Sequence, residues 1–317
     1  MTNPATTNPA TADRLCDRAA ARIRWARQLE RGFVLAAWAL LGLLAVVFLS
    51  LFAGVLQTGW ERLQPDFFLT FASRRAAQAG ILAAWVGTLV VMAVTAAVAI
   101  PLGVAAGVYL EEYARPGRLT TLIEVNIVNL AGVPSIVYGL LALGLFVRLL
   151  GLGASILTAG LTLGLLILPI VVVATREAIR TVPQSIREAS YAVGATRWQT
   201  VWQHVLPAAL PGILTGIIIG LARAIGETAP LVTIGAVTFI AFLPPAPFSP
   251  EAPFLSFDWL WAPFTALPIV TFDWTSRPNP AFRPNAAAAA LVLTFLTAVM
   301  NATAVWLRYR LRQRQLW

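Results

Sequence analysis

Six long apolar stretches, at 33–56, 81–109, 127–150, 156–174, 213–241 and 286–307, alternate with segments that carry almost all of the charge. Each can cross a hydrocarbon core of about 30 Å at about 1.5 Å per residue, so the pattern predicts an all-α membrane protein with six transmembrane helices. The first stretch exceeds the roughly 7–15 apolar residues of a signal-peptide core and is expected to remain as a helix. Ahead of it, residues 1–13 are small and polar and predict disorder, whereas the arginine-rich residues 14–31 predict a basic helical approach to the membrane. The chain thus divides into an N-terminal tail (1–32), a six-helix transmembrane domain (33–307) and a C-terminal tail (308–317).

Composition agrees with this pattern. Apolar residues make up 58% of the chain and charged residues only 12%, about half of what a water-facing surface needs. Lipid is therefore the expected neighbour. Six spans put both termini on one side, and arginine says which. The tails and the loops at 111–126 and 175–212 hold 16 arginines, and the opposite loops hold 6. The positive-inside rule then predicts cytoplasmic termini in a bacterial inner membrane. The same asymmetry accounts for the net charge of +9 without a nucleic-acid partner. The sequence has no lysine, which excludes a P-loop nucleotide site. One cysteine and one histidine exclude an intrachain disulfide and a Cys/His zinc cluster. No nucleophile–base pair is evident, so no catalytic residues, metal or cofactor are expected.

Two loops stand out. Residues 242–285 are rich in proline and aromatics, and their expected place is outside, at the membrane interface. Residues 175–212 carry helical punctuation instead. Thr181 and Pro183 mark a helix start and Gly194 its end. Thr196 and Gln199 then read as a capping box that opens a second helix, expected to stop before Pro207. The loop predicts helix, glycine turn, helix.

Within it, Glu188-Ala189-Ser190-Tyr191-Ala192-Val193-Gly194, followed by Leu206-Pro207 and Pro211, resembles the Glu-Ala-Ala signature of ABC-importer permeases. Ser190 departs from the usual alanine and His204 from the usual apolar residue. Residues 103–114 (GVAAGVYLEEYA), 129–139 (NLAGVPSIVYG) and 221–230 (LARAIGETAP) are similar to PstA-type permeases of phosphate importers, and the similarity extends over roughly residues 60–307. The resemblance implies an ABC-importer permease fold in which the loop is a coupling helix docking on a cytoplasmic ATPase, with Glu188, Ala189, Gly194, Leu206 and Pro207 as coupling residues. It also implies a second, PstC-like permease, two PstB-like ATPase subunits and a PstS-like periplasmic phosphate-binding protein, with inorganic phosphate as the substrate. A permease for sulfate or molybdate is the nearest alternative. A secondary transporter or channel is less favoured, because internal repeats and multiple midplane ionisable groups are missing.

The fifth stretch holds Arg223 and Glu227. Counted from Gly212 as the cytoplasmic entry, Arg223 is expected about 16 Å deep, near mid-bilayer, where an arginine costs roughly 2.5–3.5 kcal/mol and must face protein or water. Gly212, Gly216, Gly220 and Ala224 form a small-residue stripe suited to close packing, and both charges are expected on that packed side as an i,i+4 pair. Two readings stay open: Arg223 serves an oxyanion, whose oxygens match the guanidinium fork, or the pair only locks helices. Asn129 and Ser135, with Asn126, are further pathway candidates or bonds between helices. Glu111 and Glu112 are expected at a solvated boundary, His204 at the surface, and Pro101, Pro134 and Pro169 at kinks.

Overall fold

A computed structural model describes residues 9–246, 254 and 256–313, with side chains between residues 25 and 310. The chain divides into two compact units, Met1–Val55 and Leu56–Trp317. The first is the body of helix α1 (Pro9–Gly59). Its apolar side chains, among them Phe33, Leu35, Trp38, Leu43, Phe48 and Leu51, are exposed on every side of the helix, as an all-round apolar helix in lipid would be. Of the segment expected to be disordered, residues 1–8 lie outside the described residues and Pro9 onward is helical.

The second unit is an all-helical bundle. After α2 (Pro65–Leu69), the long helices are α3 (Leu82–Val108), α6 (Ile156–Arg180), α9 (Leu206–Gly226) and α12 (Arg283–Gln313). Five described helices are long and apolar enough to cross a membrane. A sixth is reached if α4 (Arg118–Ala131) and α5 (Ser135–Ala142, continued by a π turn to Leu149) count as one broken span.

That break lies at Pro134, where a kink was expected within the 127–150 run, but it is sharper than a kink and divides the run into two helices. The chain turns by 106° between α4 and α5, because Pro134 supplies no amide donor and biases the residue before it away from helix. The Tyr138 hydroxyl donates to the Leu130 carbonyl at 2.8 Å and pins the bend.

The fifth span is also displaced. It does not run from 213 to 241 but from Arg197 to Gly226. Pro207 does not end the preceding helix: after the short α8 (Arg197–Thr200), a π turn over Val201–Val205 leads directly into α9. This wider turn falls where the proline ring would press on the carbonyl four residues earlier. At the other end Pro230 stops the span. Glu227 is extended, and only the short α10 (Ala229–Thr233) follows.

α6 is the axis. Its buried face includes Leu163, Ile167, Val171, Thr175 and Ile179, and α3 and α9 pack on either side of it. Approach is close because the neighbours present glycine. A Cβ on Gly107 of α3 would stand 2.6 Å from the Thr175 Cβ, one on Gly212 of α9 would stand 2.6 Å from the Ala178 Cβ, and one on Gly216 would overlap the Ala174 Cβ outright. The small-residue stripe read in α9 is thus a helix contact with α6.

The proline- and aromatic-rich loop is divided between surface and bundle. Phe242, Phe254, Phe257 and Trp261 stay exposed, whereas its segment around α11 (Leu267–Ser276) folds into the bundle, with Phe264, Leu267, Ile269, Val270 and Trp274 buried. Backbone bonds thread it there: Val237 N–H donates to Phe264 O, Ile156 N–H to Ala262 O, and Leu267 N–H to the Thr88 hydroxyl. Buried contacts satisfy these groups where lipid could not. Nearby, Arg62 joins α12 to the segment before α3 by donating to Asn285 Oδ1 and to the carbonyls of Ala77 and Ala79.

The contact between α6 and α9 yields a direct expectation. Gly216→Leu forces a side chain into Ala174 and should cost about 1–3 kcal/mol by overpacking, read as a lower unfolding temperature of the purified membrane protein. Gly144→Ala, at a site with open space around it, should leave that temperature unchanged. Equal stability of both variants would reject the close α6–α9 contact.

Candidate functional site

At one end of the bundle, the ends of α3 and α6 meet α7 (Gln184–Ala192). α3 does not stop at Val108 but continues through a π turn, Tyr109–Tyr113, which carries Glu111 and Glu112. The Glu112 side chain is only 7% exposed, and Arg187 of α7 bonds it through both Nε (3.1 Å) and Nη2 (2.7 Å). The same guanidinium donates to the carbonyls of Ile179 and Val182, where α6 runs out of intrahelical partners. One arginine thus ties α7 to both α3 and α6. Beside it Arg176, also nearly buried, bonds Glu111 at 3.3 Å and Glu124 of α4 at 2.7 Å, and Arg180 bonds Glu111 and Glu177. The expectation of a solvated boundary at Glu111 and Glu112 is overturned.

This cluster is a clasp and not an anion site. It sets three guanidiniums (Arg176, Arg180, Arg187) against four carboxylates (Glu111, Glu112, Glu124, Glu177), so its balance is negative and every guanidinium is engaged. The cavity of about 810 Å³ that opens beside Arg180, Arg187 and Tyr191 shares this lining.

The loop has the predicted form. α7 ends at Gly194, whose φ of +86° suits glycine. The Thr196–Gln199 capping box is complete, with the Thr196 hydroxyl accepting from Gln199 N–H and the Gln199 side chain accepting from Thr196 N–H. Ser190, the departure from the signature alanine, is buried and its hydroxyl lies 2.9 Å from that of Thr200, closing α7 onto α8. The inner face of α7 is therefore held by Arg187 and Ser190. Its outer face leaves Glu188, Ala189, Tyr191, Val193 and Gly194 exposed. Of the other coupling candidates, Leu206 is half-buried against the α6–α9 core and Pro207 is exposed in the first turn of α9. His204 is exposed as expected.

The four pathway candidates do not form one site. Arg223 Nε and Glu227 Oε1 pair at 3.3 Å. Because α9 starts earlier and ends sooner than expected, Arg223 occupies its last turn, not the middle of a span. Its side chain is 39% exposed, so it does not face the packed stripe, whereas Glu227 is more enclosed. α5, which carries Ser135, packs through Gly139 against Pro230 and Thr233, just beyond Glu227. Ser135 therefore lies on an element adjoining the pair. Asn129 lies across the bend and lines a separate cavity of about 360 Å³ with Glu124, Arg176 and Arg180. Among the described residues no group of three or more histidine, cysteine or acidic side chains is arranged to hold a metal.

Sequence reasoning missed the clasp. Its trace was present: two adjacent glutamates at the end of one span, and Arg176 and Arg180 on one face of another.

Comparison with known proteins places this geometry in context. Residues 99–316 match the family described as binding-protein-dependent transport system inner membrane component. A Mycobacterium tuberculosis protein named phosphate transport system permease protein PstA 1 is 33% identical over 285 residues, covering 89% of this chain and 87% of the relative. A Bacillus subtilis protein named probable ABC transporter permease protein YqgI is 34% identical over 84% of this chain and 90% of its own. Among solved structures, a bacterial alginate ABC transporter superposes with a TM-score of 0.61 at 12% identity, over 88% of this chain and 94% of that one. The MetNI methionine ABC transporter superposes with a TM-score of 0.52 at 19% identity, over 71% and 91%. At such identities these two show the fold alone.

Removing one partner of an enclosed ion pair strands the other, at a cost of about 3–5 kcal/mol, whereas replacing both is often near neutral. Glu112→Gln should therefore lower the unfolding temperature markedly, and adding Arg187→Met should recover much of the loss. Additive losses in the double variant would remove the clasp as the element that holds α7.

Proposed function

Since the chain belongs to the family of binding-protein-dependent transport system inner membrane components, we propose that it is a permease subunit of an ATP-driven importer that passes inorganic phosphate into the cytoplasm. The observation that carries the coupling half of this reading is the two-faced α7. Its inner face is fixed to α3 and α6 by Arg187 and its outer face is free to dock. A push on Glu188, Ala189 or Gly194 then moves the ends of two spans together. The force comes from separate ATPase subunits, since a lysine-free chain cannot build a P-loop. A second permease and a periplasmic binding protein complete the assembly, and both termini are cytoplasmic. Phosphate is supported by the names of the relatives, with sulfate or molybdate as the alternative cargo.

The pathway reading rests on Arg223 and Glu227. An exposed guanidinium in the last turn of α9 presents a planar donor fork beside Ser135-bearing α5. Glu227 holds that fork when no anion is present, and an oxyanion competes for it. The exposure of Arg223 favours this role over a purely structural lock, which would be better enclosed.

Two measurements test these assignments. Glu188→Arg and Gly194→Trp should leave the protein in the membrane but reduce co-purification of the ATPase and phosphate uptake together. Normal values of both would sink the coupling role. For the pathway, Arg223→Gln should abolish uptake, Arg223→Lys should restore part of it, and the double variant Arg223→Gln/Glu227→Gln should stay inactive at normal membrane levels. Uptake near wild type in the double variant would discard the oxyanion role.

A further inference from the structure

Two broken helices meet beside the Arg223–Glu227 pair. One is the α4–α5 bend, pinned where the Tyr138 hydroxyl donates to Leu130 O at 2.8 Å. The other is the break between α9 and α10, where Glu227 is extended. A Cβ on Gly139 of α5 would overlap the Thr233 hydroxyl and stand 2.7 Å from Pro230 Cα, so the two segments touch with no room for a methyl group. Pro230 lies three residues after Glu227, and Gly139 directly follows Tyr138. One packed contact therefore separates the ion pair from the hydrogen bond that pins the bend. Tyr138 also shares a buried cluster with Ala224 and Ile225 of α9 and Leu231 of α10, and it lies within electrostatic reach of the Arg223 guanidinium.

The fold does not need this hydroxyl for itself. Leu130 O already accepts the Val133 N–H at 3.1 Å, so the carbonyl is satisfied without Tyr138, and a phenylalanine ring would fill the same apolar cluster. α10, in turn, is placed to pass on a displacement. It is a helix of five residues with a non-helical joint on each side, the extended Glu227 before it and Gly235 at φ +93° after it. An oxyanion that takes Arg223 leaves Glu227, whose side chain is 17% exposed, without that partner. An enclosed carboxylate stripped of its cation is costly. Glu227 then moves toward water or another donor, and its backbone carries the motion into α10.

We propose that Tyr138 is a positioning residue for transport, a latch that holds the α4–α5 bend until an anion at Arg223 displaces Glu227 and α10 shifts α5 through Gly139. The proposal rests on the pathway reading of Arg223 and Glu227. It gives the cargo a reason to change the bend, because the anion binds only the arrangement in which Glu227 has left Arg223.

The test uses the whole transporter assembly in lipid nanodiscs. Spin labels are placed across the bend at two exposed sites, Thr121→Cys and Gly144→Cys, on a Cys16→Ser background, and their separation is measured with ATP and either phosphate-loaded or empty binding protein. Wild type should populate a second distance only with phosphate. Tyr138→Phe should raise that second population about fivefold without phosphate, the worth of one neutral hydrogen bond, and should raise phosphate-independent ATP hydrolysis in parallel. A merely structural hydroxyl would instead lower the unfolding temperature and leave both readings alone. Gly139→Ala should abolish the response to phosphate although Tyr138 is intact; if that variant fails to fold, Tyr138→Phe still decides. A wild-type distance indifferent to phosphate, unchanged populations in Tyr138→Phe, or a normal response in folded Gly139→Ala would overturn the proposal. If Tyr138→Phe behaves as wild type while Arg223→Gln/Glu227→Gln is inactive, the latch falls and the pathway reading stands; uptake by that double variant removes the pathway reading itself.

Discussion

The contact of α6 with α3 and α9 is what everything else hangs on. In lipid, apolar surfaces gain little by leaving one solvent for a similar one, so helices associate through close packing and internal hydrogen bonds. α6 meets both conditions. Two of its threonines are satisfied locally, Thr162 donating to Thr158 O and Thr158 to Gly153 O just ahead of the helix. Its neighbours bring Gly107, Gly212 and Gly216 against it with no room for a methyl group. Three helices at such separation move as one body, because an interface packed this tightly tolerates little sliding.

The clasp at the end of α6 extends that body into water. Arg187 fulfils three needs at once. It pairs with a nearly buried glutamate, supplies donors to the frayed end of α6, and fixes the orientation of α7. Under the proposed coupling role, stiffness is the point of the arrangement. A lever made of a short helix on a flexible tether would dissipate force in its own bending, whereas one bonded to two spans passes displacement on directly.

Much of this was legible in the sequence. Long apolar runs, the glycine stripe of α9, the capping box at Thr196 and the helix end at Gly194 all follow from local patterns, and the structure repeats them. What was not legible depends on partners distant in sequence. Glu112 and Arg187 are 75 residues apart, and only the fold says that they meet. Proline was misread at Pro207 for a related reason, since a π turn can absorb a ring that hydropathy and spacing treat as a stop. The depth assigned to Arg223 failed because it was counted from Gly212, while the helix begins at Arg197. The burial of α11 was not foreseen because it depends on the Thr88 hydroxyl and the open backbone at Gly87, neither of which leaves a mark near residue 267.

The π turn at Val201–Val205 carries a consequence of its own. A π turn holds one residue more than the α turn it replaces, and each residue advances an α-helix by about 100°. The direction in which α8 faces is thus an angular phase set by that one extra residue. Deleting any single residue from 201–205 and letting the turn relax to α geometry would swing Trp198, the capping box and the Thr200 hydroxyl by more than a quarter of a revolution about the α9 axis. Ser190 would lose its partner without being touched. For a chain of this design, insertions and deletions in this stretch act as rotations, and the side chain most sensitive to them is one that lies on a different helix.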